Sequence, residues 1–493
     1  MPCGSPNFIT VKPRTMALFT PGRRWQAPFF PFKREPVGKR ILRSIERWIK
    51  GPLFGCRMCG NCLLQETAFI CPMECPKGMR NGPCGGSTPE RCYVDETRPC
   101  IWYRIYERSF RMGREQRLME VLPPLDWDKA GTETWGDVIR SVRDYGTGRF
   151  IRERFSRNRE TKRQSWEAVF QPVRQPSWWN GDSSPHPPAY EEPFSSLEQE
   201  LKSGKFVITA EISPPLSTAT GKLKRDIESL KDLVAAVNFT DSASASPRMS
   251  SMACCKIAAD LKADPVLQVA ARDKTRSGLQ SHIMGANAMG IYNVLCISGD
   301  HARIGPAPTS YSSILDMDAI QMLWILRRMR DEGIYLDGRR MQSSPRLFLG
   351  AAASPFASEP RFQALREEKK VHAGAQFFQT NLIYDTDALD DWLEALDKRN
   401  LLDKVYILAG VTPIRSRRMA EYLHDQIPGV RIPHEIRNRF ETAREDDYEE
   451  LGVEIALGIM ERIRGKQGIN GIHLMAVGWE SMVPRLLREA GLN

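Results

Sequence analysis

Eight short apolar runs recur through the last three hundred or so residues of the chain: "FVITAEI" from Phe206, "AAVNFT" from Ala235, "VLQVAA" from Val266, "YNVLCIS" from Tyr292, "RLFLGA" from Arg346, "QFFQTN" from Gln376, "KVYILAG" from Lys404 and "GIHLMAV" from Gly471. They are nearly continuous in apolar character rather than alternating, which is the pattern of strands buried on both faces. Most are separated by stretches of helical period such as "KLKRDIESLKDLVAA" and "RRMAEYLHDQ". Eight such units predict an α/β fold, a (β/α)8 TIM barrel, whose chemistry gathers where strands end and loops begin. A doubly wound open sheet is the alternative.

Upstream the pattern changes. "QPVRQPSWWNGDSSPHPPAYEEP", from Gln171 to Pro193, has neither helical nor strand period and is dense in Pro, Ser and Gly, so it reads as a linker. The predicted organisation is a basic, cysteine-rich domain over 1–170, a linker over 171–200 and the barrel over 201–493. Between Arg40 and Lys50, Ile41, Leu42, Ile45, Trp48 and Ile49 share one helical face with Arg and Lys on the other. That helix is expected to pack against the cysteine-rich region rather than lie on a membrane.

Composition is that of an ordinary globular protein, 41% hydrophobic and 26% charged over 493 residues. No run of eighteen apolar residues is present, and the opening residues lack the order of a secretory signal, so a cytoplasmic protein without a membrane span is expected. Residues 1–34 hold Lys12, Arg14, Arg23, Arg24, Lys33 and Arg34 and no acid, which suits a basic docking arm, with a transit peptide as the alternative. The net charge of +10 is concentrated in the first third. It suggests an anionic partner: nucleic acid, an acidic redox protein or a polyanionic substrate.

Eight of the twelve cysteines fall between residues 56 and 100: Cys56, Cys59, Cys62, Cys71, Cys75, Cys84, Cys92 and Cys100. Without an export signal, metal ligation by thiolates is the expected use rather than disulfides. Three cysteines at two-residue intervals suit an iron–sulfur cluster with a later fourth ligand, and the Cys71–Pro72 pair resembles that of bacterial ferredoxins. The remaining four suit a second [4Fe-4S] cluster or a structural zinc. The glycines of "NGPCGG" allow a tight turn around a metal–sulfur unit.

The predicted strand ends carry Glu211, Thr240, Asp241, Gln268, Arg272, Asp300, Thr380 and Asn381. Carboxylates at the mouths of strands one and four suit proton donation and the orientation of a nitrogen heterocycle.

"AEISPP", "SGD", "KKVHAGAQFFQTNLIYD" and "LAGVTPIRS", in that order, resemble the methylenetetrahydrofolate reductases, flavin-binding barrels, from about Lys205 onward. "CxxCGxC", "CPKG" and "NGPCGG" resemble the small cysteine-rich iron–sulfur subunit that accompanies these reductases in acetogenic bacteria, here fused ahead of the barrel. The resemblance implies that Glu211 is the general acid as the folate methylene bridge opens. It implies that Asp300 lies beside flavin and pterin, that Thr240, Gln268, Ala351 and Lys370 bind the flavin, Lys370 on its phosphate side, and that Gln379 and Asn381 meet the folate. Three single positions and one short stretch depart from the family pattern. Asn381 stands where a glutamine is usual, Ser298 replaces an arginine, Gln268 a histidine, and Val477–Trp479 an "LNR"-like stretch.

The expected activity is therefore reduction of 5,10-methylenetetrahydrofolate to 5-methyltetrahydrofolate, or the reverse oxidation, with FAD or FMN as the flavin. Electrons would come from NAD(P)H or, through the clusters, from a ferredoxin-like protein, and a homo-oligomer is expected. The alternatives are reduction of a related carrier such as methylene-tetrahydromethanopterin, and a zinc-cysteine module binding nucleic acid or protein beside an inactive barrel.

Overall fold

The computed structural model describes residues 36–492, apart from 175–177, 180–187, 189, 307–313, 428 and 477. The basic arm over 1–34 and Val477 therefore lie outside the described residues.

All eight apolar runs form strands: β1 (Val207–Ile212), β2 (Ala236–Phe239), β3 (Pro265–Ala270), β4 (Asn293–Ile297), β5 (Phe348–Ala353), β6 (Phe377–Leu382), β7 (Tyr406–Val411) and β8 (Gly471–Leu474). They pair in parallel in chain order, and β1 closes on β8 through Thr209 opposite His473, so the sheet is a closed barrel and not an open one. Alternate residues of each strand point inward and form layers. The lowest layer is apolar and includes Val207, Ala236, Val266, Phe348, Phe377 and Leu408. Above it lies a hydrogen-bonded polar layer: Asn238 Nδ2 donates to Gln379 Oε1 at 2.6 Å, and Thr209 Oγ1 lies 2.9 Å from His473 Nδ1. The outer face of the strands packs against the barrel helices in the main core.

The expected linker is partly built into the fold. Trp179 is buried, stacks on Trp324 with ring centroids 3.7 Å apart, and donates its indole N–H to Val121 O at 2.8 Å. Ser196–Lys202 is a helix whose N-cap Ser195 accepts from Glu198 N, and its Leu197 and Leu201 close the lower end of the barrel. Beside it, Asp264 accepts from Leu197 N at 2.9 Å and from Asn293 Nδ2 at 2.8 Å. Burial nevertheless pushes its carboxyl from an ordinary 3.8 up to about 7. A carboxyl with a raised folded-state pKa binds its proton more tightly in the folded chain, so its contribution is present at low pH and lost as pH rises through about 7. Asp264→Asn is expected to flatten the pH dependence of Tm between roughly 4 and 7, measured by thermal melts in a buffer series; an unchanged slope would assign the pH dependence elsewhere.

Ahead of the barrel lie α1 (Val37–Phe54), the cysteine-bearing loops, α2 (Ile101–Arg111), α3 (Trp135–Tyr145), α4 (Thr147–Arg154) and α5 (Arg159–Arg174). Helix α1 does pack against the cysteine-rich region, but through its polar face. Arg43, Glu46 and Lys50 are buried, whereas Ile41, Ile45 and Trp48 are exposed, Trp48 at 78%. The inward charges are satisfied: Lys50 Nζ donates to Glu46 Oε1 at 2.5 Å and Thr134 Oγ1 at 2.8 Å, and Glu46 Oε2 accepts from Thr134 N at 2.7 Å. Such a network holds its place in a buried position because every charged group has a partner. Among the described residues no helix is long and apolar enough to cross a membrane.

Candidate functional site

The upper layer of inward side chains opens into a cavity of about 340 Å³ at the C-terminal ends of the strands. Glu211 stands at the end of β1. Its Oε2 accepts from Gln268 Nε2 at 3.2 Å and lies 3.8 Å from His473 Nε2. Asp300 follows β4 in a tight turn that needs Gly299. The φ of Gly299 is +72°, and a Cβ there would meet the Ala270 Cβ at 2.9 Å. The turn is braced by Ser244 N donating to Asp300 Oδ2 at 2.8 Å and Arg272 Nη1 donating to Asp300 O at 2.9 Å.

Thr240, Asp241, Gln268, Gln379, Thr380 and Asn381 line the same cavity. Gln379 sits one layer deeper than Asn381, because strand residues two apart share a face. Ala351 does not reach the site. Its side chain belongs to the core outside the barrel, while its neighbours Ala352 and Ala353 line the cavity. Lys370, on the helix Pro360–His372 after β5, lines it too, with Nζ donating to Ala352 O and Glu367 Oε2, both at 2.5 Å. Burial and the adjacent Arg366 push the Lys370 ammonium down to about 8.

The cysteine-rich region forms part of the cavity wall through Lys77, Gly85, Gly86 and Tyr93. Lys77 Nζ donates to Gly299 O at 2.5 Å across 222 residues of sequence. The Tyr93 hydroxyl is pushed up by burial and by the nearby Asp300 carboxylate. A Cβ on Gly85 would meet Ser354 Oγ at 2.8 Å, and one on Gly86 the Tyr93 ring at 2.8 Å. The glycines of "NGPCGG" thus let the loop close on the barrel, a role beyond the turn expected from sequence. Sequence reasoning missed Lys77, Tyr93, Arg366 and His473. Only His473 left a signal, as a polar residue at an inward position of β8.

The eight cysteines separate into two sets. Cys56, Cys59, Cys62 and Cys71 line one small cavity beneath α1, and Cys75, Cys84, Cys92 and Cys100 line another. Cys71 and Cys75 flank the single 3-10 turn Pro72–Glu74, so consecutive cysteines face opposite cavities. Electrostatic neighbours follow the same division. Burial first, and then Cys59, Cys56 and Cys62, raise the Cys71 thiol; burial, Cys84 and Cys75 raise Cys100. Burial pushes Cys56 up to about 12. Cys84 is held below the ordinary thiol value, because Lys77, the Ser87 hydroxyl and Arg366 outweigh its burial. Four thiols around one cavity is the donor set of a four-cysteine metal centre. Among the described residues, no three His, Cys, Asp or Glu side chains converge closely enough to hold a single ion.

No curated protein matches the chain. Among solved structures it is similar to a Clostridium thermocellum protein described as binding two copies of 5-methyl-5,6,7,8-tetrahydrofolic acid, at 19% identity and a TM-score of 0.41, with 60% of this chain and 96% of that one covered. It is also similar to an F420-dependent secondary alcohol dehydrogenase solved with an F420–acetone adduct, at 13% identity and a TM-score of 0.38, with 58% and 98% covered. A family model described as the C-terminal part of methylene-tetrahydrofolate reductase matches residues 38–128, the cysteine-rich region. The model described as methylenetetrahydrofolate reductase matches residues 196–491, the whole barrel and more than half of the chain, which therefore belongs to the methylenetetrahydrofolate reductase family.

Proposed function

We propose that the protein is a flavin-dependent reductase that converts 5,10-methylenetetrahydrofolate to 5-methyltetrahydrofolate, with electrons entering through metal centres in the cysteine-rich region. The observation that carries this reading is the shared wall. Lys77 and Tyr93 belong to the loops that hold the second cysteine set; Lys77 donates to Gly299 O and Tyr93 lines the barrel cavity together with Asp300. A bound flavin supplies a hydride donor that can itself be reduced one electron at a time.

The cavity is lined mostly by polar and charged side chains, with Leu295, Ile297, Ile427 and Met475 among its apolar walls, and such convergent polar groups suit a cofactor and substrate rich in hydrogen-bonding atoms. Glu211 is suited to give a proton to the folate nitrogen that leaves as the methylene bridge opens to a 5-iminium. The Gln268 amide occupies Oε2 and leaves Oε1 to carry the proton. Asp300, anchored by Ser244 and Arg272, orients the pterin, and Gln379 and Asn381 supply amides from one face of β6 at two depths. The iminium carbon then gains a hydride and becomes the methyl group.

The first cysteine set is proposed to hold a [4Fe-4S] cluster, and the second set, beside the barrel, a second cluster. Residues 1–174 hold 32 Lys and Arg against 18 Asp and Glu, a net +14, whereas the remainder is net −4. That asymmetry favours an acidic, ferredoxin-like donor meeting the cysteine-rich end over NAD(P)H meeting the barrel.

The test is anaerobic purification followed by absorption spectra, metal analysis and turnover. The expected protein is brown, with flavin and iron–sulfur bands, and forms methyltetrahydrofolate faster with reduced ferredoxin than with NADH. A colourless, zinc-only protein would sink the redox reading, and equal rates with NADH would sink the relay.

A further inference from the structure

Lys77 stands in the walls of two cavities. It lines the small cavity around Cys75, Cys84, Cys92 and Cys100, and it also lines the barrel cavity beside Gly299 and Asp300. Among the described residues no other is shared between these two walls. Its side chain is buried, 7% exposed, and Nζ donates to Gly299 O at 2.5 Å. A charge so placed is little screened by water and acts strongly on its neighbours. Lys50, beside the first cysteine set, offers a contrast. Its Nζ lies 3.8 Å from Cys62 Sγ, but the Glu46 carboxylate, 2.5 Å away, offsets its charge. Lys77 instead donates to a neutral carbonyl, so its charge is left for the groups around it: four thiols on one side and the Gly299–Asp300 turn on the other.

Other contacts already tie the cysteine-rich region to the barrel. Arg80 N and Asn81 Nδ2 donate to Asp318 Oδ2 at 3.0 and 3.1 Å, and Asp318 is the N-cap of the helix Ala319–Asp331. Arg80 and Asn81 line neither of the two cavities that Lys77 joins. A tie between the two parts of the chain therefore needs no cation at residue 77, and the position of Lys77 between the cavities calls for a separate reason.

We propose that Lys77 is a positioning residue that links the two sites electrostatically: its ammonium faces the metal centre of the second cysteine set and the barrel cofactor at once, and raises the reduction potential of both. This rests on the metal and flavin reading above. A positive charge close to a redox group favours the reduced form, so one ammonium between two such groups keeps their potentials in step. Lys77 forms and breaks no bond and carries no electron. Its hydrogen bond to Gly299 O fixes where the charge sits, as Ser244 and Arg272 fix Asp300 in the same turn.

The experiment is a reductive titration of the anaerobically purified full chain, with the flavin followed by absorbance and the metal centres by electron paramagnetic resonance. Each paramagnetic signal is assigned by its loss in Cys59→Ser or Cys84→Ser. Lys77→Met is expected to lower the potentials of the second centre and of the flavin together, each by on the order of tenfold in the reduction equilibrium, about 59 mV for a one-electron centre. The first centre is expected to stay where it was. Lys77→Gln, which keeps an amide to donate to Gly299 O but has no charge, is expected to show the same fall, so a poorly folded Lys77→Met does not shield the proposal. Lys77→Arg is expected to restore both potentials. Asn81→Ala, which removes a tie to the barrel without touching either cavity, is expected to leave all three unchanged. A shift in only one of the two potentials, an equal shift in Asn81→Ala, or no shift in the uncharged variants overturns the proposal and leaves the redox reading intact. A native protein without flavin, or without a second reducible centre, overturns this inference together with the reading it rests on.

Discussion

Replacing Glu211 by glutamine is expected to slow methyltetrahydrofolate formation by about 10²- to 10⁴-fold, the usual worth of a positioned general acid, while the flavin spectrum is retained. The reason lies in the local geometry. The carboxylate stands at the end of β1 with Oε2 hydrogen-bonded to Gln268 at 3.2 Å, and His473 is 3.8 Å from the same oxygen. An amide of the same shape keeps the Gln268 contact and the packing but has no proton to give at neutral pH. The half-reaction in which an artificial donor reduces the flavin requires no acid at this position and is expected to keep its rate. Rapid-mixing measurement of both half-reactions separates the two effects. Loss of flavin from the variant, or slowing of both half-reactions alike, would show that Glu211 shapes the cavity rather than serving as the acid.

Serine at Cys59 is expected to remove one metal centre and serine at Cys84 the other, each single variant keeping about half of the native metal if the two sets hold clusters of one kind. The expectation follows from the two small cavities, each lined by four of the eight cysteines. A double variant within one set, Cys59 with Cys71 or Cys84 with Cys100, is expected to lose no more than either single change. A double variant across sets is expected to lose everything. Additive loss within a set would overturn the partition.

The two losses are also expected to differ in their reach. The loop that carries Cys75 and Cys84 also carries Lys77, Gly85 and Gly86, which form part of the barrel cavity, so Cys84→Ser should weaken flavin retention. The Cys59 set lies beneath α1, walled by Glu46, Lys50 and Thr134, and its loss should leave the flavin in place. Both changes should lower thermal stability, because a structural metal site contributes folding free energy directly.

The barrel was legible because a strand buried on both faces leaves a local mark, an apolar run of four to seven residues, wherever it occurs. Glu211, Thr240, Gln268 and Asp300 were legible for a related reason, since polar residues just past such runs lie on the rim by construction. The parity within a run is less secure. Ala351 and Ala352 are indistinguishable by composition, and a shift of one residue moves a side chain from the outer core to the cavity. Helix α1 inverted its expected packing for a longer-range reason. Its apolar stripe is the stronger local signal, but Glu46 and Lys50 find partners in Thr134, far along the chain, and that network decides which face is buried.

By itself, then, the sequence determined the eight-strand α/β barrel, the clustering of eight cysteines within the first hundred residues and most of the polar rim, all of which follow from patterns within a few residues. Tertiary structure alone decided the sorting of eight cysteines into two fours and the insertion of Lys77, Gly85, Gly86 and Tyr93 into a cavity whose other walls are hundreds of residues away. It also buried Arg366 on the cavity wall beside Glu367. These depend on which loops meet, and that is settled by the burial of whole surfaces and the satisfaction of buried polar groups, quantities that no short window of sequence contains.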